Sequence, residues 1–191
     1  MSKIKISYPF MITLAVFIFF DSGQQLLMTM CAMLIHESGH ITGLIIKNIP
    51  FERVKIGITG ANIVYGSGKL TSYNDDMFIA VMGSCFNFTA VLMALIVEFV
   101  LEYDLSFFIG INAFLGIFNM LPVLPLDGGR ITLSLLSKTL DPNQAESIMR
   151  NLGIIVSIIG IISGVSLVFN MGNYTLVLVS IVIYINNKIE I

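Results

Sequence analysis

Six apolar stretches divide this chain of 191 residues, and their lengths restrict the folds that are open to it. They cover roughly residues 6–21, 25–46, 78–100, 106–126, 151–169 and 174–187. A helix needs about 20 apolar residues to cross a bilayer, and a segment in lipid must satisfy its own backbone hydrogen bonds. The chain is also 56% hydrophobic and only 12% charged. We therefore predict an all-α polytopic membrane protein with about six transmembrane helices.

The basic residues test this division and give the spans an orientation. If the N-terminus is inside, every lysine and arginine falls on the inner side, whereas the outer connections hold Asp21, Glu102 and Asp104. The positive-inside rule then predicts cytoplasmic N- and C-termini. A net charge of -2 without a basic tract gives no reason to expect a nucleic-acid partner. Cys31 and Cys85 lie in apolar runs and are predicted to be buried packing residues.

The two longer inner connections are predicted to carry small elements of their own. Residues 47–76 contain short β-branched runs between glycines, which predict a β-hairpin at the cytoplasmic surface after the second span. Residues 127–150 begin with a segment that is predicted to be helical near the membrane face. Because no internal repeat or low-complexity tract occurs, residues 1–191 are expected to form a single transmembrane domain without an appended soluble domain.

A cluster of ionisable residues, His36-Glu37-Ser38-Gly39-His40, lies inside the second span. Residues four apart share one helix face at a separation of about 6 Å, so two imidazoles can bind one zinc ion. Glu37 would lie beside the metal as general base and acid. Both histidines of the chain belong to this motif, and ionisable groups at membrane depth are costly and usually functional.

A catalytic zinc site commonly takes three protein ligands and leaves one position open. Asp127 is the strongest candidate for the third ligand, because it closes the fourth apolar stretch at the same predicted depth as the histidines. The prolines before it end the helix, and Gly128 and Gly129 permit a tight turn that directs the aspartate. Glu98 lies at the opposite, outer end of its span and is a poorer candidate.

Two separated motifs, HESGH and the downstream NMLPVLPLDGGR, resemble the site-2 protease family of intramembrane zinc metalloproteases. The resemblance covers residues 25–140, and the compact layout is similar to the branch that includes the stage IV sporulation protease. It implies one Zn²⁺ per chain, held by His36, His40 and Asp127, with Glu37 as catalytic acid and base. It also implies supporting roles for Asn119, Asn87 and Gly128. Ser84 departs from the family's usual proline beside Gly83.

The resemblance further implies regulated intramembrane proteolysis of a membrane protein substrate, with the active site toward the cytoplasmic side of a bacterial plasma membrane. Membrane regulatory proteins are possible further partners, besides the lipid bilayer. The hairpin at 50–73 is either an edge strand that receives an extended substrate or a plain connection. Two alternatives stay open: a transporter or ion pathway that uses the buried ionisable groups as a relay, and a pseudoprotease that binds membrane proteins without cutting them.

Overall fold

The computed structural model describes residues 5–6, 23–49, 51–57, 60–65, 72–171 and 174–189. Within these residues the chain forms three strands and six helices. The strands are β1 (Lys5–Ile6), β2 (Phe51–Gly57) and β3 (Gly60–Tyr65). The helices are α1 (Gly23–Ile46), α2 (Tyr73–Leu101), α3 (Ser106–Asn119), α4 (Asp127–Leu136), α5 (Pro142–Met171) and α6 (Thr175–Ile189).

Five of the six predicted spans coincide with helices, namely α1, α2, α3, α5 and α6. The first predicted span, residues 6–21, lies almost wholly outside the described residues, and its first residue, Ile6, belongs to β1. A count of six transmembrane helices therefore stays a prediction. The helix predicted near the membrane face after Asp127 is present as α4.

One predicted boundary was wrong. Helix α3 ends at Asn119 rather than at residue 126, because a proline removes a backbone donor and disfavours helical geometry in the residue before it. Pro122 and Pro125 therefore keep the apolar residues 120–126 out of the helix, although hydropathy alone includes them in the span. Helix α5 begins at Pro142, within the segment 141–146 that the sequence predicts to be a turn and helix cap before the fifth span, since proline is well suited to the first helical position.

The three strands form one sheet in the order β1-β2-β3. Strand β1 pairs with β2 in parallel, and β2 pairs with β3 in antiparallel fashion from Phe51 opposite Tyr65 to Gly57 opposite Gly60. The register shifts between Phe51 and Arg53. The antiparallel pair lies in the interval between the second and third predicted spans, where the sequence predicts a hairpin.

The chain divides into two compact units, Met1–Asn119 and Met120–Ile191. In the first unit, α1 packs closely against α2 at glycines. A Cβ at Gly39 would overlap the backbone carbonyl of Met82, and one at Gly43 would lie 3.2 Å from the Cα of Ile79. Gly39 and Gly43 stand four residues apart, which is the small-residue spacing that lets membrane helices approach closely.

The second unit packs α5 against α6 through a comparable row of glycines. Gly160 lies directly against the side chain of Ser180, and a Cβ at Gly164 would come within 2.8 Å of the backbone nitrogen of Val177. At the other end of the row, Gly153 lies against the amide of Asn187. Small residues on α5 therefore make room for polar groups on α6.

Two helices, Tyr73–Leu101 and Pro142–Asn170, are long and apolar enough to cross a membrane. Their surfaces are largely exposed rather than covered by protein, as Phe99 (88% exposed) and Phe169 (85%) illustrate. Apolar surfaces of this extent are unusual on soluble monomers, whereas lipid accommodates them.

Cys31 and Cys85 are exposed on α1 and α2, so their predicted burial was wrong. Their position on apolar helices explains the difference, because an apolar side chain in a membrane protein can face lipid.

The connection between α2 and α3 is closed by a short capping interaction. The backbone N–H of Ser106 donates to Oδ1 of Asp104 at 2.9 Å. Hydrogen bonds from the side chain and the backbone of Ser106 hold the pKa of Asp104 below its ordinary value. The carboxylate is therefore ionised at neutral pH, and its negative charge interacts favourably with the positive N-terminal end of the α3 dipole.

Candidate metal centre

His36 and His40 lie one turn apart on α1, and both are buried, with 6% and 4% of their surface exposed. Their rings stand nearly perpendicular, with an interplanar angle of 87° and centroids 4.8 Å apart. The two Nε2 atoms are 3.2 Å apart. The helical spacing in the sequence thus brings the two rings to one point, as predicted.

Hydrogen bonds at the other ring nitrogens fix the tautomers. Nδ1 of His40 lies 2.9 Å from the carbonyl oxygen of Ile79, which can only accept a hydrogen bond. Nδ1 of His36 lies 2.6 Å from Oδ1 of Asn87, which is also an acceptor. Both Nδ1 atoms therefore carry a proton and donate it. In a neutral imidazole the second nitrogen is then an acceptor, so the lone pairs of the two Nε2 atoms turn toward each other.

This donor set fits a zinc ion. Two lone pairs directed at one point repel each other, and a shared cation removes that repulsion. Bonds of about 2.0–2.1 Å at a tetrahedral angle would separate two nitrogen ligands by about 3.3–3.4 Å, close to the 3.2 Å between the Nε2 atoms. A histidine that binds metal usually donates its other N–H to a carbonyl or carboxylate group, and both rings do so here. His36 and His40 therefore present a preformed pair of nitrogen ligands.

Gly83 on α2 gives the rings their room. A Cβ at this position would lie 2.5 Å from Cε1 of His40, 2.6 Å from its Nε2 and 2.8 Å from Cε1 of His36. Real Cβ atoms essentially never approach heavy atoms within 3.0 Å. The backbone of α2 thus forms a wall directly against both imidazoles, and any side chain at Gly83 would displace them.

Asn87, one helical turn beyond Gly83, is completely buried. Its Nδ2 donates to the backbone carbonyl of Ala32 at 3.1 Å and to Oδ1 of Asn112 at 2.9 Å. These two acceptors orient the amide, so that Oδ1 faces His36. The predicted supporting role of Asn87 thus acquires a physical basis, because the side chain holds the ring of one histidine in place.

Asp127, the third predicted ligand, belongs to the second unit. This aspartate is the first residue of α4 and is 7% exposed. A carboxylate in the first turn of a helix is stabilised by the helix dipole. Nη1 of Arg130 lies 3.7 Å from Oδ1 of Asp127, one turn further along α4. Asp127 is therefore a buried carboxylate at a helix start, with a guanidinium group nearby.

The two glycines after Asp127 allow the preceding chain to fold back over the start of α4. A Cβ at Gly128 would overlap the carbonyl groups of Met120 and Leu121, and one at Gly129 would overlap the backbone of Val123. Helix α4 therefore begins under residues 120–124 with almost no space between backbones. This close approach is the physical reason for glycine at both positions.

A contact that sequence reasoning did not predict holds the same segment from the other side. Nδ2 of Asn187 on α6 donates to the carbonyl of Leu124 at 2.7 Å and to that of Ile183 at 2.8 Å. Asn187 is completely buried, and its Oδ1 meets no donor among the described residues. The amide therefore attaches the segment that leads to Asp127 to the last helix.

We expect Asn187→Ala to loosen this segment. Loss of a buried hydrogen bond that leaves the Leu124 carbonyl unsatisfied should cost about 1–3 kcal/mol. Amide hydrogen exchange at residues 120–130 should become faster, while exchange in α1 stays unchanged. Asn170→Ala is the matched control, because the amide of Asn170 is exposed. Wild-type exchange at residues 120–130 in Asn187→Ala would contradict this role.

Glu37 and Asn119 are the remaining residues that the sequence predicts for the site. Glu37 is half-buried on α1 beside His36. Asn119 is the last residue of α3, and its Nδ2 donates to the carbonyl of Leu115 at 3.0 Å. Ser84, which departs from the family pattern, donates through Oγ to the carbonyl of Gly116 at 3.0 Å and so joins α2 to α3. The sequence signal that could have identified Asn112 is a lone amide in the middle of an apolar run.

Known proteins resemble this chain in sequence and in fold. Residues 100–160 match the peptidase family M50. A zinc metalloprotease of Methanocaldococcus jannaschii is 28% identical over 168 residues, which are 83% of this chain and 47% of that protein. The chain thus spans about half the length of this curated relative. A solved site-2 protease structure from the same organism superimposes with a TM-score of 0.72 at 23% identity, covering 97% of this chain and 88% of the other. Residues 100–160 therefore resemble peptidase family M50, and the chain shares the fold of the solved site-2 protease.

Proposed function

We propose that this protein is an intramembrane zinc metalloendopeptidase that hydrolyses a peptide bond in or near a transmembrane segment of another membrane protein. The observation that carries the proposal is the histidine pair, whose Nε2 atoms lie 3.2 Å apart on a helix within an apolar bundle. The M50 match and the zinc metalloprotease relative support the same activity. Burying two imidazoles and a glutamate among lipid-facing helices would be costly without a chemical role.

We assign His36, His40 and Asp127 as the residues that would hold one Zn²⁺ per chain. The two imidazole nitrogens are already oriented toward one point. Asp127 supplies a buried carboxylate at a helix start, and a third protein ligand is typical of catalytic zinc. The closely packed turn at Gly128 limits the positions that this carboxylate can occupy. Bound zinc supplies a Lewis acid that polarises a carbonyl and makes water more acidic.

Glu37 would carry the proton transfers. One oxygen of its carboxylate accepts a proton from the water that attacks the scissile carbonyl carbon. As the C–N bond breaks, the same carboxylic acid returns this proton to the leaving nitrogen. Glu37 follows His36 directly, which places its carboxylate beside the ligand pair rather than on the opposite helix face. His36 and His40 keep their Nδ1 protons throughout, since these stay bonded to Asn87 and to the Ile79 carbonyl.

A transmembrane substrate must unwind before it is cut, because its helical carbonyls are already hydrogen-bonded. Strand β3 pairs on one side with β2, so its other edge is a candidate for addition of an extended substrate strand. We infer an inner, cytoplasmic position of the active site, because the basic residues predict that this side of the membrane faces the cytoplasm. A bacterial plasma membrane, a role in sporulation and control by membrane regulatory proteins stay predictions from the resemblance.

The direct test is cleavage by the purified protein in lipid nanodiscs. A panel of single-span substrates should be cut within or beside the transmembrane segment. Removal of metal by a chelator should abolish cleavage, and added Zn²⁺ should restore it, because the histidine pair holds the metal needed for hydrolysis. Cleavage that persists in the chelator would contradict the proposal. Zinc binding without cleavage of any substrate would favour the pseudoprotease alternative.

Replacement of the third ligand gives a second expectation. Asp127→Ala should lower the affinity for Zn²⁺ at least tenfold and abolish cleavage, because two imidazoles alone hold the ion weakly. Asp141→Ala is a suitable control, since Asp141 is an exposed residue just before α5. Competition with a fluorescent zinc chelator would measure both affinities. Unchanged affinity in Asp127→Ala would remove Asp127 from the ligand set.

A further inference from the structure

A chain of buried amides joins α3 to one of the two histidines. It runs from Asn112 on α3 through Asn87 on α2 to Nδ1 of His36 on α1. Both asparagines are 0% exposed. Because the two asparagines are fully buried, their polar atoms must find hydrogen-bond partners within the protein. The three side chains therefore act as one hydrogen-bonded unit across three helices.

The direction of this chain is fixed at Asn112. Its Nδ2 donates to the carbonyl of Phe108 at 2.9 Å, one turn earlier on α3. A backbone carbonyl accepts only, so the other end of the amide, Oδ1, faces Asn87. Nδ2 of Asn87 donates to that oxygen at 2.9 Å. Asn112 thus presents an acceptor to Asn87 that cannot be exchanged for a donor without loss of the Phe108 hydrogen bond.

The orientation of Asn87 in turn decides the tautomer of His36. If the Asn87 amide rotated by half a turn, Nδ2 instead of Oδ1 would face the imidazole. Nδ1 of His36 would then accept a hydrogen bond rather than donate one, and the ring proton would move to Nε2. A protonated Nε2 cannot bind a metal. The rotation is opposed by two acceptors, the Ala32 carbonyl and Oδ1 of Asn112.

We propose that Asn112 is a positioning residue for the metal centre, which holds His36 in the tautomer that presents Nε2 to zinc. It contacts neither the ion nor the substrate and acts only through Asn87. The inference rests on the proposed zinc site. It goes beyond that site, because it assigns a role to a residue of α3 that lies outside both family motifs.

The histidine content of this protein allows the tautomer of His36 to be measured directly. It contains only two histidines, so a spectrum of protein labelled with ¹⁵N-histidine reports His36 and His40 alone. Nδ1 of His40 bonds to the Ile79 carbonyl and has no link to the amide chain. In metal-free protein, the tautomer of His40, protonated at Nδ1, is therefore an internal reference for that of His36.

The experiment compares Asn112→Leu with Ser84→Ala and Asn112→Asp. Ser84→Ala removes another buried hydrogen bond between α2 and α3, from Ser84 Oγ to the Gly116 carbonyl, without touching the histidines. Asn112→Asp keeps an oxygen where Asn87 needs an acceptor. If Asn112→Leu does not fold, Asn112→Ala takes its place. The readouts are the metal-free ¹⁵N shifts and the affinity for Zn²⁺.

We expect Asn112→Leu to move His36 toward the tautomer protonated at Nε2 and to lower zinc affinity about 10- to 100-fold. His40 should stay protonated at Nδ1 in every variant. Ser84→Ala and Asn112→Asp should keep the wild-type tautomer of His36. A wild-type His36 tautomer in Asn112→Leu would overturn the inference. Failure of the wild-type protein to bind zinc would instead contradict the proposed function, so the two failures are distinguishable.

Discussion

Glu37→Gln is expected to lower the cleavage rate by about 10²- to 10⁴-fold while the protein keeps its bound zinc. Glutamine has nearly the shape of glutamate, but its amide cannot accept the proton of the attacking water. The metal should remain, because its nitrogen ligands are His36 and His40, whose orientation depends on Asn87 and the Ile79 carbonyl rather than on Glu37. Single-turnover cleavage and zinc content, measured on the same preparation, check both parts of this expectation.

Glu98→Gln is the matched control for this experiment. Glu98 is the other half-buried glutamate on an apolar helix of the first unit, at the far end of α2. Its substitution should change neither zinc content nor cleavage. Equal cleavage by Glu37→Gln and the wild-type protein would exclude Glu37 from the proton transfers. Loss of zinc in Glu37→Gln would indicate that the residue holds the metal rather than the proton.

Gly83→Ala is expected to reduce zinc affinity about 10- to 100-fold, even though the added methyl group is small. The new Cβ would lie within 3 Å of atoms in both imidazoles, so the rings must move away from their shared point. Alanine is the better helix former by about 1 kcal/mol. Helix propensity alone therefore predicts a more stable protein with an unchanged site, and the two effects have opposite signs.

Gly110→Ala separates these contributions. Gly110 lies in the helical interior of α3, and a Cβ there meets no atom within 4 Å. This variant should keep wild-type zinc affinity and equal or greater thermal stability. Competition titration of zinc and thermal unfolding of both variants give the comparison. Equal zinc affinity in Gly83→Ala and the wild-type protein would mean that the α2 backbone does not confine the histidines.

Local sequence signals predicted those features of the site that depend on residues a few positions apart. The spacing of His36 and His40 gives their common face, and the glycines after Asp127 predict the tight turn at the start of α4. Helices α1, α2 and α6 also follow from apolar length. The start of α5 follows from the turn and cap signals at Asp141 and Pro142, whereas the end of α3 was missed because hydropathy ignores the effect of proline on the backbone.

Long-range polar contacts could not be predicted in this way. Asn112 lies in the apolar middle of α3 and Asn187 between Asn186 and Lys188 at the polar end of α6, and nothing in either neighbourhood identifies a partner. Asn112 pairs with a residue 25 positions away and Asn187 with one 63 positions away. The same holds for Gly83, whose role depends on rings carried by another helix. A single sequence indicates that such residues are unusual, but only the packing of the helices identifies their partners.

The central claim, that the two Nε2 atoms of the HESGH helix hold zinc, is tested most directly by X-ray absorption at the zinc edge of the purified protein. We predict two imidazole ligands at about 2.0–2.1 Å, with oxygen atoms in the remaining positions and no sulfur. His36→Ala should lose this signature. A zinc environment without imidazole, or one that contains sulfur from Cys31 or Cys85, would contradict the claim.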